Sequence, residues 1–301
     1  MKRRTLRIEP AHAGAALELA LSSLLPASLE DARALVSAGA VYLAGRRCRD
    51  AAARVAPGAV LTVVLEESGQ GALAPAPRAE ALEILLEDEH VLAVNKRAGI
   101  TAQPTPSRVG ASLLDLASAH LGRPAGLIHR LDRETSGVTV FAKSPAATRE
   151  LARQFREGLA SKRYLAATGP LLHGAGSITL PLSRDPTRPG RWRASERANG
   201  ISAHTDYETL ITTPAFALVS LRPRTGRTHQ LRAHLAALGV PILGDARYGG
   251  APGAGALVAS RCLLHAQLLE LSHPASGAPL VLRAPLPADL AAYFAVAGLE
   301  P

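Results

Sequence analysis

The stretch from residue 126 to residue 142 reads Gly-Leu-Ile-His-Arg-Leu-Asp-Arg-Glu-Thr-Ser-Gly-Val-Thr-Val-Phe-Ala. Its first part is dense in groups that titrate or donate hydrogen bonds, whereas residues 138–142 form an apolar run typical of a buried strand. Charged groups beside a buried strand must be held against one another in an ordered loop. This loop is either a structural ion-pair loop or a catalytic one.

A second polar run, at residues 221–234, reads Leu-Arg-Pro-Arg-Thr-Gly-Arg-Thr-His-Gln-Leu-Arg-Ala-His. The spacing predicts a helix over 228–238. Pro223 and Gly226 predict a rigid turn before it, which would aim the helix N-terminus and Arg224 at an anion. A solvated basic helix is the structural alternative.

Outward from these two runs, the pattern predicts an α+β protein whose catalytic domain is a mixed, mainly antiparallel sheet with flanking helices. Helices are predicted at 112–121, where Ser112 and Asp115 form the cap and Gly122 ends the helix, and at 147–159. Residues 1–66 predict a small α/β module with helices at 15–25 and 28–37. Residues 67–80, rich in Gly, Pro and Ala, predict a linker, and 81–301 the catalytic domain.

Composition narrows the class of protein. The chain has 301 residues, 47% of them hydrophobic, a net charge of +9 and a pI near 10.2, which favours a polyanionic partner such as RNA or DNA. A GC-rich genome would produce the same arginine excess. Two isolated cysteines, Cys48 and Cys262, predict neither a disulfide framework nor a zinc site. No apolar run suggests a membrane span or signal peptide, so we expect a cytoplasmic protein.

The two polar runs resemble the signature motifs of the RluA family of ribosomal pseudouridine synthases. The similarity continues through residues 88–99, 162–164, 264–266 and 273–274, and so covers about residues 81 to 290. Residues 1–66 resemble a small RNA-binding domain first described in a small-subunit ribosomal protein. The resemblance implies an enzyme without cofactor or metal that isomerises uridine in structured RNA, most simply large-subunit ribosomal RNA, and that acts as a monomer.

The resemblance also implies roles for particular residues. Asp132 would be the catalytic aspartate, Arg227 would pair with it, and Tyr164 would stack on the target base. A guanidinium beside the aspartate would keep its pKa low in a pocket that excludes water. Asp132 could attack the substrate as a nucleophile or remove a ribose proton, and the sequence does not choose between them. Arg130 is a candidate to fill the space left by the flipped base, and Leu231 to support the site.

Further residues are candidates for contacts with RNA. The loop at 184–199 carries five arginines around Trp192 and favours phosphate contacts and base stacking, or else is a plain surface loop. The candidate RNA-binding residues are Arg133, Lys96, Arg191, Trp192, Arg193, Arg224 and His229.

Three other functions stay open at this point: the same reaction on transfer RNA, a non-catalytic RNA-binding or ribosome-assembly protein, and a metal-dependent hydrolase built on His129, Asp132 and Asp245.

Overall fold

A computed structural model describes residues 2–25, 27–37, 39–65, 82–104, 112–196 and 200–299. The chain divides into two compact units, Met1–Ala81 with Thr101–Gly122, and Leu82–Ile100 with Arg123–Pro301. The predicted linker at 67–80 lies outside the described residues. Residues 101–122, which follow the predicted domain boundary at residue 81, group with the first unit.

In the described residues of the first unit there are a four-stranded sheet and three α-helices. Its elements are β1 (Lys2–Arg7), α1 (Leu17–Leu24), α2 (Leu29–Ser37), β2 (Val41–Leu43), β3 (Arg46–Cys48), β4 (Val60–Leu65) and α3 (Leu113–Leu121), with a short 3-10 turn at Pro10–His12. The strand order is β1-β4-β2-β3, and all neighbouring strands are antiparallel. Leu17 and Leu21 of α1 pack with Leu35 of α2 against Val41 and Leu61 of the sheet, so each helix buries one apolar stripe.

Helix α3 has the caps that the sequence predicts. The Ser112 hydroxyl accepts a hydrogen bond from the Asp115 N–H, and the Asp115 carboxylate accepts one from the Ser112 N–H over 3.0 Å. Gly122 ends the helix with a φ of 63°, a left-handed conformation that favours glycine.

The second unit is built on one ten-stranded sheet. Its elements are β5 (Ile84–Glu87), β6 (Val91–Lys96), β7 (Gly126–Leu127), β8 (Ser136–Ala142), α4 (Pro145–Arg156), β9 (Ser161–Thr168), β10 (Ala175–Ile178), β11 (Leu182–Arg184), β12 (Trp192–Ala194), β13 (Thr205–Thr212), β14 (Ala217–Pro223), α5 (Gln230–Ala237), β15 (Gly253–Ala254), β16 (Leu257–Val258), β17 (Leu264–Ser272), β18 (Pro279–Arg283) and α6 (Ala288–Val296). The order is β10-β13-β14-β9-β17-β8-β6-β5, with β18 beside β17 and β7 beside β8, while β11–β12 and β15–β16 form separate hairpins. The predicted α+β class and mainly antiparallel sheet are confirmed.

The sheet has one parallel pairing, between β8 and β17. There Ser136 and Gly137 are paired with His265 and Ala266. Gly137 has a φ of 115°, and a Cβ at this position would collide with the Ala266 carbonyl. The glycine therefore allows the two strands to approach at the point where the Asp132 loop enters the sheet.

Two apolar clusters in the second unit pack helices against strands. Leu151 of α4 packs with Val140 of β8 and Leu269 of β17, and Leu235 of α5 packs with Leu218 of β14 and Tyr293 of α6. Two predicted helices begin or end elsewhere: α4 ends at Arg156 before Gly158, whose φ is 73°, and α5 begins only at Gln230. Within the described ranges, no helix combines the length and apolar character of a membrane span.

Candidate active site

The loop between β7 and β8, which carries Asp132, is held by hydrogen bonds to its backbone. Lys96 at the end of β6 donates from Nζ to the carbonyl of Arg133 over 3.1 Å, and Arg261 donates from Nη1 to the carbonyl of Glu134 over 3.0 Å. The Gly99 N–H adds a bond to the Arg133 carbonyl, and the Thr135 N–H turns back to the carbonyl of Asp132 itself. The loop is therefore ordered from both sides of the carboxylate.

Lys96 was predicted to contact RNA, and this prediction is wrong because its side chain is fully buried. Besides Arg133, Nζ donates to the carbonyls of Arg97 and Ile100 over 3.0 and 2.9 Å. Burial lowers the pKa of Lys96 to about 7, and the Asp132 carboxylate opposes that shift. Because a neutral amine has only two N–H bonds, three carbonyl acceptors favour the ammonium form. Lys96 is a structural cation beneath the loop.

His129 secures the other end of the same loop. Its Nε2 accepts a hydrogen bond from the Val140 N–H of β8 over 3.2 Å, and its ring stacks on Phe155 of α4 at 4.8 Å. Burial, and secondarily the charge of Lys162, lowers the pKa of His129 to about 3. The ring is therefore a neutral acceptor that continues the hydrogen bonding where β7 has ended. Its Nε2 already accepts a backbone hydrogen bond, which argues against His129 as a metal ligand.

The arginine that contacts Asp132 is Arg232 and not Arg227, so the predicted pairing is wrong. Arg232 donates from Nη1 to Oδ2 of Asp132 over 3.1 Å, whereas the exposed Arg227 donates from Nε to the carbonyl of Ser202 over 3.2 Å. The physical reason is where the two arginines lie relative to α5. Since the helix begins at Gln230, Arg227 lies in the preceding turn and Arg232 lies within the helix.

Arg232 is itself fixed by a second carboxylate. Its Nε and Nη2 donate to both oxygens of Asp245 over 2.7 and 2.8 Å, and the two side chains are only 7% and 1% exposed. This bidentate pair leaves Nη1 directed to Asp132. The Cys262 thiol lies 3.6 Å from the Asp245 carboxylate, and burial raises its pKa. Neither Arg232 nor Asp245 was predicted from the sequence to have this supporting role.

A tight turn between Gly244 and Gly250 carries Asp245 and Tyr248. A Cβ at Gly250 would collide with the carbonyl of Ile242, so the turn requires glycine there. The Tyr248 N–H donates to Asp245 over 3.3 Å, and the guanidinium of Arg232 lies 5.1 Å from the centre of the Tyr248 ring. The signal in the sequence that could have indicated this turn is the run Gly-Asp-Ala-Arg-Tyr-Gly at 244–249, where polar groups stand between glycines.

Two more predicted residues lie near Asp132. Tyr164 is on β9, where it is paired with Leu221 of β14 and Ala266 of β17. Burial, and secondarily the charge of Asp132, raises the pKa of the Tyr164 phenol, which keeps it neutral. His229, predicted to bind RNA, instead has its Nε2 at 3.8 Å from Oδ2 of Asp132. Leu231, within α5, is buried in the apolar core.

The remaining candidates lie at or near the surface. Arg130 is exposed and Arg133 is partly buried. Arg224 is 65% exposed and donates from Nε to Asp206 over 2.6 Å, and Arg193 donates weakly to Ser183.

Trp192 and Arg191 were predicted to bind RNA, but in the structure both side chains contact other residues of the protein. Trp192 packs against Leu182 and Tyr248, because alternation in the β11–β12 hairpin turns its side chain toward this small cluster. Arg191 lies 5.1 Å from the centre of the Tyr248 ring and 3.8 Å from Asp185. The stacking of a base on Trp192 is therefore not supported.

A family model described as RNA pseudouridylate synthase matches residues 90–237, a range that includes Asp132, Tyr164 and Arg232. The class of protein is therefore an RNA pseudouridine synthase. The chain belongs to the RluA family of these enzymes, and it isomerises uridine to pseudouridine in RNA.

Individual relatives support this family. The chain is 42% identical over 215 residues to the dual-specificity RNA pseudouridine synthase RluA of Escherichia coli K12, and the aligned region covers 69% of this chain and 95% of that relative. It is 37% identical over 223 residues to the ribosomal large subunit pseudouridine synthase D of Nitrosomonas europaea, 71% of this chain and 64% of that one. A solved structure of human RNA pseudouridylate synthase domain containing 4 is 30% identical, covers 74% of this chain and 96% of its own, and superposes with a TM-score of 0.59.

Proposed function

We propose that the enzyme modifies uridine in large-subunit ribosomal RNA, with Asp132 as the catalytic carboxylate. The observation that carries this proposal is the contact of Asp132 Oδ2 with Arg232 Nη1 at 3.1 Å, on an arginine locked by Asp245. A cation held this rigidly can stabilise charge that develops at the reacting atoms without reorganisation during the reaction. The choice of ribosomal RNA rests on the similarity to the Nitrosomonas europaea enzyme, which is described as acting on the ribosomal large subunit.

In the reaction, the bond between C1′ of the ribose and N1 of uracil breaks, and a bond between C1′ and C5 forms. The hydrogen at C5 leaves as a proton, and N1 gains one, so no oxidant or reductant is needed. Asp132 can act either as the nucleophile at C1′ or as the base that removes a ribose proton. Tyr164 stays a neutral phenol beside the carboxylate, which suits a group that contacts the flipped base.

The first experiment is tritium release from ribosomal RNA transcripts that carry uridine labelled at C5. Wild-type protein should release tritium, and Asp132→Asn should release none, because the amide is neither a base nor a nucleophile of comparable strength. If neither protein releases tritium, an equally labelled transfer RNA is tested next. Release from the transfer RNA would favour that substrate, and no release from it would favour the non-catalytic alternative. Equal release by both proteins would exclude Asp132 as the catalytic residue.

The first unit is proposed to assist RNA binding. Arg46 and Arg47 of β3 are exposed, and Arg47 also donates from Nη2 to the Tyr42 hydroxyl over 2.7 Å. Exposed guanidinium groups suit phosphate contacts, although Glu30 and Asp31 in the first turn of α2 oppose a uniformly cationic face. We expect the enzyme to act as a monomer in the cytoplasm, where such a substrate is found.

A further inference from the structure

The ring of His229 lies between Asp132 and Tyr248. Its Nδ1 is 3.0 Å from the Tyr248 hydroxyl, and its Nε2 is 3.8 Å from Oδ2 of Asp132. The side chain is only 13% exposed. The residue therefore makes a continuous chain of polar groups from the turn at 244–250 to the carboxylate.

The backbone at His229 is unusual. Its φ is 56° and its ψ is 20°, so a residue with a Cβ adopts the left-handed conformation at the N-cap of α5. Among the described residues, Ala44 is the only other one besides glycines with a positive φ. Such strain persists where the surrounding structure holds it, and it clusters at functional sites.

The hydrogen bonds around Tyr248 favour one tautomer of His229. The Trp192 N–H of β12 donates to the Tyr248 hydroxyl oxygen over 3.0 Å, and a backbone N–H can only donate. Burial raises the pKa of Tyr248, so its O–H proton stays in place and is free to be donated to Nδ1. With Nδ1 as acceptor, a neutral imidazole must carry its proton on Nε2, which is the nitrogen near Asp132.

We propose that His229 is a positioning residue for Asp132, fixed by Tyr248 in the tautomer that presents its Nε2–H to the carboxylate. The inference rests on the proposed catalytic role of Asp132. Within the described part of the chain, both Arg232 and His229 approach the carboxylate at Oδ2. This arrangement leaves Oδ1 to act on the substrate. At 3.8 Å the attraction from Nε2 is electrostatic, and it becomes a hydrogen bond if the ring closes on the carboxylate when RNA binds.

Burial favours the neutral form of His229. Burial is the main cause that lowers its pKa, Arg232 and Arg247 add to the shift, and Asp132 and Asp245 oppose it. The neutral ring can present its Nε2–H to Asp132 without adding a second full cation beside that of Arg232.

The test compares single-turnover tritium release at saturating enzyme with RNA affinity measured by filter binding. His229→Ala should slow tritium release by about 10- to 100-fold, the usual cost of removing an orienting partner, with RNA affinity changed by less than about threefold. His229→Gln, whose amide N–H can stand in for Nε2–H, should recover most of the rate. The matched control is His173→Ala, at an exposed histidine outside the site.

A purely structural role is separated by two further variants. His229→Gly relieves the left-handed strain and should be at least as resistant to heat as the wild type, yet just as slow as His229→Ala. Tyr248→Phe removes the donor that favours neutral His229, so the pKa of His229 should rise. In a plot of the Tyr248→Phe reaction rate against pH, the acid limb should then move to higher pH. A structural defect would instead lower the rate equally at every pH.

Wild-type rates in His229→Ala, or a loss confined to RNA affinity, would overturn the positioning role. An unshifted acid limb in Tyr248→Phe would overturn the assignment of the tautomer. If Asp132→Asn is inactive while His229→Ala is unaffected, only this inference fails. If Asp132→Asn is fully active, the proposed function itself fails.

Discussion

Arg232 and Asp132 are 100 residues apart in the chain, and Nη1 of the arginine donates to Oδ2 of the aspartate over 3.1 Å. The contact exists because Asp245 holds the opposite edge of the same guanidinium through two further hydrogen bonds. The two carboxylates therefore share one cation, one of them buried and structural and the other 27% exposed and available to substrate.

Arg232→Lys should lower kcat by about 10²- to 10³-fold, because one ammonium cannot make the bidentate pair and also reach Asp132. Arg232→Gln should in addition destabilise the fold by roughly 3–5 kcal/mol, since it leaves Asp245 buried without a cation. Steady-state tritium release and urea denaturation measure the two effects. Arg227→Gln is the matched control and should change kcat less than about threefold. A larger loss of kcat in Arg227→Gln than in Arg232→Lys would restore the pairing predicted from sequence.

Lys96→Met should slow single-turnover release with little change in RNA affinity, because the buried ammonium holds the carbonyls of the Asp132 loop. Arg193→Ala should do the opposite. It should weaken RNA binding and reduce the slope of log affinity against log salt by about one, as expected for one lost phosphate contact. The contrast would fail if Lys96→Met chiefly weakened binding with an altered salt slope.

Gly137→Ala should destabilise the second unit by about 2 kcal/mol or more beyond the cost of its positive φ, because its Cβ would collide with the Ala266 carbonyl. Gly158→Ala is the matched control. It has a φ of 73°, and a Cβ added there would meet no heavy atom within 4 Å, so the substitution should cost only about 1 kcal/mol. Equal shifts in the urea midpoint would mean that β8 and β17 are not in close contact at this point.

His129 should make stability fall in acid. Its pKa is about 3 in the folded protein against an ordinary 6.5, so below pH 6.5 the unfolded chain binds more protons than the folded one. Stability is fully present above pH 6.5 and declines as the pH falls toward 3. At pH 5 the loss from this group should be about 2 kcal/mol.

His129→Gln removes this titration and can still accept from the Val140 N–H. Its free energy of unfolding, measured in urea at pH 7.5 and pH 5, should therefore depend less on pH than that of the wild type. His265, whose pKa burial lowers to about 4, contributes a similar slope in both proteins and cancels in the comparison. Identical slopes would mean that His129 is not buried in its neutral form.

Arg130→Ala should slow modification of a uridine in a paired helix by about 10-fold or more, because the exposed guanidinium is proposed to fill the space left by the flipped base. The same variant should act nearly normally on an unpaired uridine, which has little stacking to lose. Single-turnover release on two transcripts that differ only in the opposing strand measures this. Equal slowing on both transcripts would argue for a role other than base flipping.

The family, the α+β class and the loop that carries Asp132 could all be predicted from the amino-acid sequence. These properties are local. The run at 129–137 combines its charged groups with the strand that follows, and the caps of α3 lie within a few residues of that helix. Alternation of apolar residues is enough to predict strands, because side chains of a strand point to opposite faces of the sheet.

The arginine that contacts Asp132 and the cation beneath the loop could not be predicted, because both depend on how distant elements pack. Asp245 holds Arg232 of α5 against Asp132, whereas Arg227, in the turn before the helix, donates to the carbonyl of Ser202. The carbonyls that bind Lys96 come from its own strand end and from a loop 37 residues away. A sequence pattern records which residues carry charge, but the distances between charges from separate elements are set by how those elements pack.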